Sequence, residues 1–239
     1  MNHQQLREQA CAANLELVRQ GLVISSFGNA SAFDPGSGVM AIKPSGVDYD
    51  QLTPENMVLL EVTSGKALEP GSLRPSSDTP THLALYRQWP MIRGVVHTHS
   101  RLATAWAQAG RDIPCLGTTH ADYFNGAVPC TATMTSDEIT GGSGYEHNTG
   151  LVIIREFQAR KLDPLEIPAV LVRNHAPFTW GKTAADAVHI AVILEYVAAM
   201  AQSTFNLEPA AKPIGAALLQ KHFFRKHGPG AYYGQNQPK

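Results

Sequence analysis

Short apolar runs set among very short turn segments constrain this chain most. Leu22–Ser25, Val39–Ile42 and Met57–Val62 read as strands, and DPGSG at 34–38 and TSGK at 63–66 read as turns. Parallel strands need crossovers of a dozen or more residues, and connections this short suit hairpins instead. The first part of the chain is therefore expected to be an antiparallel meander.

Helical patterns surround it. Residues 4–20 place Leu6, Ala10, Ala13, Leu17 and Val18 near one face, and Gly21 ends that helix. Thr79 as N-cap with Pro80 at the first helical position starts a second helix, ending near Trp89-Pro90. Ile92–His99 reads as a buried strand and Arg101–Ala109 as a helix. Leu151–Arg155 and Ala169–Asn174 read as strands. Ala184–Thr204, beginning after Thr183, is apolar on most faces and belongs in a core or an interface. A last helix over Ile214–His227 precedes a Gly/Tyr tail. No repeat, low-complexity stretch or linker divides residues 1–239, so one domain is expected: α/β, a central, mostly antiparallel sheet with helices on both faces.

Composition narrows the function. The 239 residues carry a net charge of −1. That gives no global basic field for nucleic acid or an anionic membrane, so an anionic substrate must be held locally. Cys11, Cys115 and Cys130 are odd in number and lack CxxC spacing, which fits a reduced, cytoplasmic setting better than a disulfide framework. The N-terminus has no apolar leader core, and no uninterrupted apolar run approaches the roughly 18 residues of a membrane span. Neither GxGxxG after a first strand nor GxxxxGK[ST] is present.

The sharpest chemical signal is GVVHTHS at 94–100. On a strand His97 and His99 share a face, and two imidazoles so spaced can chelate a borderline metal such as zinc. Two hydrogen-bonded histidines at a strand end would look the same. Partners for a metal exist in His175, within NHAPF, and Asp78, within PSSDTP. A buried, satisfied histidine and a helix cap explain these two equally well. Gly28-Asn29, Ser45-Gly46 and Ser76-Ser77 are small polar turns able to cradle a phosphate, with Lys43 adding charge, although such residues also serve ordinary turns. Ser76-Ser77 also lie near the positive end of the second helix. His120, Asp122 and Tyr123 in THADYF, with His222, His227, Tyr232 and Tyr233 near the C-terminus, are acid–base candidates. Glu195 and His189, on the long helix, read as structural.

GNASAFD, IKPSGVDYD, PSSDTPTHLALY, VVHTHS, GTTHADYF, NHAPFTWGK and a closing AYYGQ occur in this order. Together they resemble the class II aldolase/adducin-like family over the whole chain, and specifically its pentulose-phosphate 4-epimerase branch. The resemblance implies an α/β/α layered domain and a homotetramer with active sites between subunits. Residues 212–239 would form a C-terminal helix and tail that reach a neighbour's site. The family's metal ligands fall on Asp78, His97, His99 and His175, implying zinc, with manganese or cobalt able to replace it. Its substrate and phosphate positions fall on Gly28, Asn29, Ser45, Gly46, Ser76 and Ser77. Its proton-transfer residues fall on Asp122 and a neighbour's Tyr233, with His222 a further active-site position.

The implied reaction interconverts L-ribulose 5-phosphate and D-xylulose 5-phosphate by breaking and re-forming C3–C4, the aldehyde fragment turning over between the two steps. A fuculose 1-phosphate type aldolase is the nearest alternative, expected to carry Glu in place of Asp78. A non-catalytic adducin-like module is expected to lack the ligands. Around Gly141–Gly144 the chain carries a short insertion relative to the family pattern, and Glu146 is a candidate match to a family acidic residue.

Overall fold

In a computed structural model of the chain, residues 1–228 and 230–232 are described. Tyr233 and the remaining tail lie outside the described residues.

Helix α1 (His3–Arg19) begins at a reciprocal capping box between Asn2 and Gln5 and buries Leu6, Ala10, Ala13 and Leu17. The run Leu22–Ser25 is not a strand. Ser25 turns the backbone with φ 54, and the first strand, β1, is Asn29–Asp34. NASAFD alternates small residues rather than large apolar ones, so its pattern does not mark a strand. DPGSG closes a hairpin from β1 into the next strand, with Gly38 at φ +71 donating its N–H to the Asp34 carbonyl. Strands β2 (Val39–Ile42) and β3 (Val58–Glu61) complete the meander. Helix α2 (Thr79–Gln88) then leads to β4 (Gly94–His97), which pairs antiparallel with β1.

After β4 come α3 (Arg101–Ala109), α4 (Thr118–Ala121), α5 (Ser136–Thr140) and α6 (Tyr145–Arg160). The expected strand Leu151–Arg155 lies inside α6. So short an apolar run cannot tell strand from helix. Here α6 presses against α2 at Gly150, where a Cβ would sit 2.6 Å from that of Ala84. Strand β5 (Ala169–Leu171) turns at Asn174, φ 60, into β6 (Pro177–Gly181). The turn in NHAPF was expected and the strand behind it was not. Pro177 opens that strand, a position where a missing N–H is tolerated. Helices α7 (Ala184–Leu207) and α8 (Ala216–Lys226) follow.

The sheet order is β3-β2-β1-β4-β6-β5, with every pairing antiparallel. Period-two alternation splits its side chains between two cores. Phe33, Met40, Ile42, Val58, Val95 and Trp180 join one with α2, α3 and α6. Ala30, Ala32, Val39, Ala41, Leu59 and Val96 join the other with α1 and the start of α7. Gly94 lets α7 begin directly against β4, since a Cβ there would overlap the Thr183 carbonyl oxygen and the Ala184 backbone.

By length and apolar content alone α7 could cross a membrane. It instead contacts β4, β6, α1 and α3 and buries Ala187, Ala191, Leu194 and Ala198, as a core helix does. The class of fold is therefore the expected one, α/β with a central antiparallel sheet.

Candidate active site

The sheet places the histidines. At the end of β4, His97 stands between Asn29 of β1 and Phe178 of β6, stacked on the Phe178 ring at 4.2 Å. The Pro177 carbonyl lies 3.0 Å from His97 Nδ1. A carbonyl only accepts, so Nδ1 carries the proton and Nε2 presents a lone pair. His99, two residues on, brings its Nε2 to 3.2 Å from that of His97. His175, in the β5–β6 turn, completes the triangle, its ring 4.8 Å from His97 and 5.1 Å from His99. One ring nitrogen from each of the three falls within 4.8 Å of the others.

Burial holds these rings neutral. It is the main cause pushing His97 down to about 3, reinforced by His99 and partly opposed by the Pro177 carbonyl. It likewise pushes His175 to about 4 and lowers His99, in both cases against the attraction of Asp78. Neutral imidazoles with converging lone pairs are what a cation needs.

Asp78 settles one ambiguity of the sequence. It, and not Thr79, occupies the N-cap position of α2, yet its side chain caps nothing. Its Oδ2 accepts from Asn29 Nδ2 at 2.6 Å instead. Asn29 Nδ2 also reaches Ser76 Oγ at 3.1 Å, and Asn29 Oδ1 is buried without a hydrogen-bond partner among the described residues. Asp78 faces the same cavity as the three histidines but stands outside their tight group.

Two pairings assemble the small polar turns. Ser76 N–H donates to the Lys43 carbonyl and Ser45 N–H to the Arg74 carbonyl, so 43–45 and 74–76 run side by side. The Tyr49 hydroxyl lies 3.0 and 2.9 Å from the Phe27 and Gly28 carbonyls and pins the Gly28 turn. That turn requires glycine, because φ is +79 and a Cβ would meet Val23 Cγ1 at 2.8 Å. The Lys43 ammonium is buried 4.9 Å over the Tyr49 ring, and burial lowers its pKa against the pull of Asp48.

One cavity of about 410 Å³ gathers all of this. Its walls include Gly28, Asn29, Lys43, Ser45, Gly46, Ser76, Ser77, Asp78, His97, His99 and His175. Tyr145 and Glu146 line it as well. No sequence signal marked Tyr145, whose hydroxyl lies 3.3 Å from His175 Nδ1. Glu146 is held there by Thr81 Oγ1, which donates to its carbonyl at 2.5 Å.

Asp122 and His222 do not join this cavity. They meet each other instead, with His222 Nδ1 3.0 Å from Asp122 Oδ1, between α4 and α8.

Residues 8–202 match the family described as Class II Aldolase and Adducin N-terminal domain. The chain belongs to that family. Among curated members it is 53% identical over 232 residues to the L-ribulose-5-phosphate 4-epimerase UlaF of Salmonella paratyphi C (strain RKS4594), covering 97% of this chain and 99% of the relative. The Salmonella typhi protein of the same name is 52% identical over the same share. Among solved class II aldolase folds, an L-fuculose 1-phosphate aldolase superposes with TM-score 0.75 at 22% identity, covering 92% of this chain and 95% of that one. The L-fuculose-1-phosphate aldolase of Thermus thermophilus gives 0.65 at 23% identity, covering 86% and 98%. At such identity these superpositions speak to fold alone.

The class II aldolase family is metal-dependent, and the donor set fits a divalent cation. Three neutral imidazoles converge, a carboxylate faces the same space, and the outer nitrogen of His97 is already satisfied by protein.

Proposed function

We propose that this chain is an L-ribulose-5-phosphate 4-epimerase interconverting L-ribulose 5-phosphate and D-xylulose 5-phosphate. The observation that carries this reading is the single cavity uniting three neutral histidines and Asp78 with Lys43 and three small polar turns. One end suits the diol of a ketose and the other a phosphate. The 53% identity to UlaF over nearly the full chain supports this substrate over fuculose 1-phosphate, as does Asp rather than Glu at position 78. The full ligand set argues against a non-catalytic adducin-like module.

In this reading Asp78, His97, His99 and His175 hold zinc, which manganese or cobalt can replace. The cation supplies Lewis-acid stabilisation of the negative charge that develops when C3–C4 breaks. Gly28, Asn29, Ser45, Gly46, Ser76 and Ser77 bind substrate and phosphate through backbone N–H and side-chain groups, and Lys43 adds a buried cation. These contacts keep the detached aldehyde phosphate in place while it turns over. Asp122 and Tyr233 exchange the C4 hydroxyl proton from opposite faces, assisted by His222.

Asp122 and His222 do not line the histidine cavity of their own chain, which supports a site shared between subunits. We assign a homotetramer in which 212–239 of one copy reaches the cavity of the next, with residues 1–239 acting as one domain. The free, buried cysteines fit a cytoplasmic enzyme of pentose catabolism, such as arabinose utilisation.

The deciding experiment incubates metal-loaded protein with L-ribulose 5-phosphate and follows D-xylulose 5-phosphate. Release of dihydroxyacetone phosphate from fuculose 1-phosphate, with no xylulose 5-phosphate formed, would assign the aldolase reaction instead. Tyr233→Phe is expected to cripple turnover at normal metal content.

A further inference from the structure

Helix α8 spends several basic side chains on one carboxylate. Arg225 grips Asp122 with both arms of its guanidinium, Nε to Oδ1 at 3.0 Å and Nη2 to Oδ2 at 2.6 Å. His222 Nδ1 meets Oδ1 at 3.0 Å, and Lys226 Nζ stands 3.5 Å from Oδ2. Positions 222, 225 and 226 share one helical face, so the spacing aims all three at the same point. The backbone of Asp122 is fixed as well. Its N–H donates to the Thr118 carbonyl at 2.9 Å, and its own carbonyl lies 2.9 Å from His227 Nε2. Asp122 itself is 7% exposed and its partners are more exposed, so the grip is partly shielded from bulk water.

A fork-to-fork pair fixes the plane of a carboxylate in a way that a point charge does not. We propose that Arg225 is a positioning residue for proton transfer. Its guanidinium sets the plane of the Asp122 carboxylate and keeps that group ionised, ready to take the C4 hydroxyl proton as C3–C4 breaks. In that step the proton passes to an Asp122 oxygen, the O–H pair becomes the second bond of the aldehyde, and the C3–C4 pair stays with the other fragment. On bond re-formation from the same face the proton returns. This inference rests on the proposed acid–base role of Asp122.

The surroundings agree in direction. Burial alone would raise the Asp122 pKa, but the hydrogen bonds from Arg225 and His222 and the charge of Lys226 outweigh it and leave it lowered. Among the described residues, further titratable groups border this cluster. His120, on the same short helix, is buried against the Gly126 carbonyl. Tyr123 lies under Lys226 and beside His189 of α7.

The test compares Arg225→Gln, Arg225→Lys and Asp122→Asn as metal-loaded enzymes, in both reaction directions and across pH. Asp122 accepts the proton in one direction, and its rate there falls as the carboxylate protonates. Removing the guanidinium therefore moves the acid limb of kcat/KM to higher pH, by about one unit or more. In Arg225→Lys a charge remains without the fork, so kcat drops at nearly unchanged KM and the limb moves less. Metal content and Tm report on folding in each variant. A wild-type acid limb and kcat in Arg225→Gln, beside a crippled Asp122→Asn, would overturn the positioning role. Wild-type activity in Asp122→Asn would instead remove the acid–base reading beneath it.

Discussion

His97 Nε2 and His99 Nε2 stand 3.2 Å apart, and His97 Nδ1 is committed to the Pro177 carbonyl. Two ring nitrogens that close repel if both present lone pairs, unless a proton or a cation sits between them. Burial disfavours the proton by lowering both groups. His99→Ala should therefore lose most of the bound metal, with epimerase activity falling by about three orders of magnitude or more. Metal analysis and single-turnover assays check this. A variant that keeps full metal and full rate would place the cation elsewhere.

Acid should unfold the metal-free protein earlier than its carboxylates alone require. His97, His175 and His82, the last buried on α2 with its Nδ1 2.7 Å from Ser31 Oγ, are held near 3, 4 and 3, with burial the leading cause in each. Their ordinary value is about 6.5, so the unfolded chain binds more protons below that pH and stability falls with it. The contribution is fully present above about pH 6.5 and drains away as pH falls towards about 3, with the His175 part gone by about 4. Urea midpoints of metal-free protein across that window should fall steadily. A flat profile would mean these rings are not neutral and buried.

Lys43 sits in the cavity wall as a buried ammonium, with no carboxylate within ion-pair distance among the described residues. Such a charge costs folding energy and strengthens anion binding. Lys43→Met should raise KM for the sugar phosphate by about 10- to 100-fold while metal content stays normal. The same variant should melt no lower than wild type. A large loss of Tm with unchanged KM would make Lys43 structural.

The cavity was legible because its residues lie in local motifs whose chemistry is narrow: the candidate ligands Asp78, His97, His99 and His175 and the candidate phosphate turns all line it. Asp78 needed coordinates, since an N-cap position and a bond to Asn29 read alike in PSSDTP. Tyr145 was invisible because only the packing of α6 on α2 brings it to His175. Element types failed where apolar content misled. NASAFD is a buried strand of small residues, and the LVII run at 151–154 lies in a helix whose buried positions also include Asn148, Thr149 and Gly150. Asp122 was found by motif, but its grip by Arg225 depends on a contact 103 residues apart in sequence.

Glu195 ties α7 to the helix that follows the segment carrying His99. Helix α3 starts immediately after HTHS, and its N-cap residue Ser100 makes no side-chain cap bond. Glu195, reaching across from α7, caps it instead, with Oε1 accepting from Leu102 N–H at 2.8 Å and Oε2 from Ala103 N–H at 2.9 Å. A carboxylate at a helix N-terminus satisfies orphan donors and complements the dipole. Glu195→Ala should cost about 1–2 kcal/mol of stability. In a chain of this size that lowers Tm by roughly 2–8 °C. Because α3 anchors the segment carrying His99, metal affinity should weaken in parallel, measured by chelator competition. Glu195→Gln keeps one acceptor and should fall between. Unchanged melting in Glu195→Ala would mean that water caps α3 as well as Glu195 does, and unchanged metal affinity that the placement of His99 does not depend on α3.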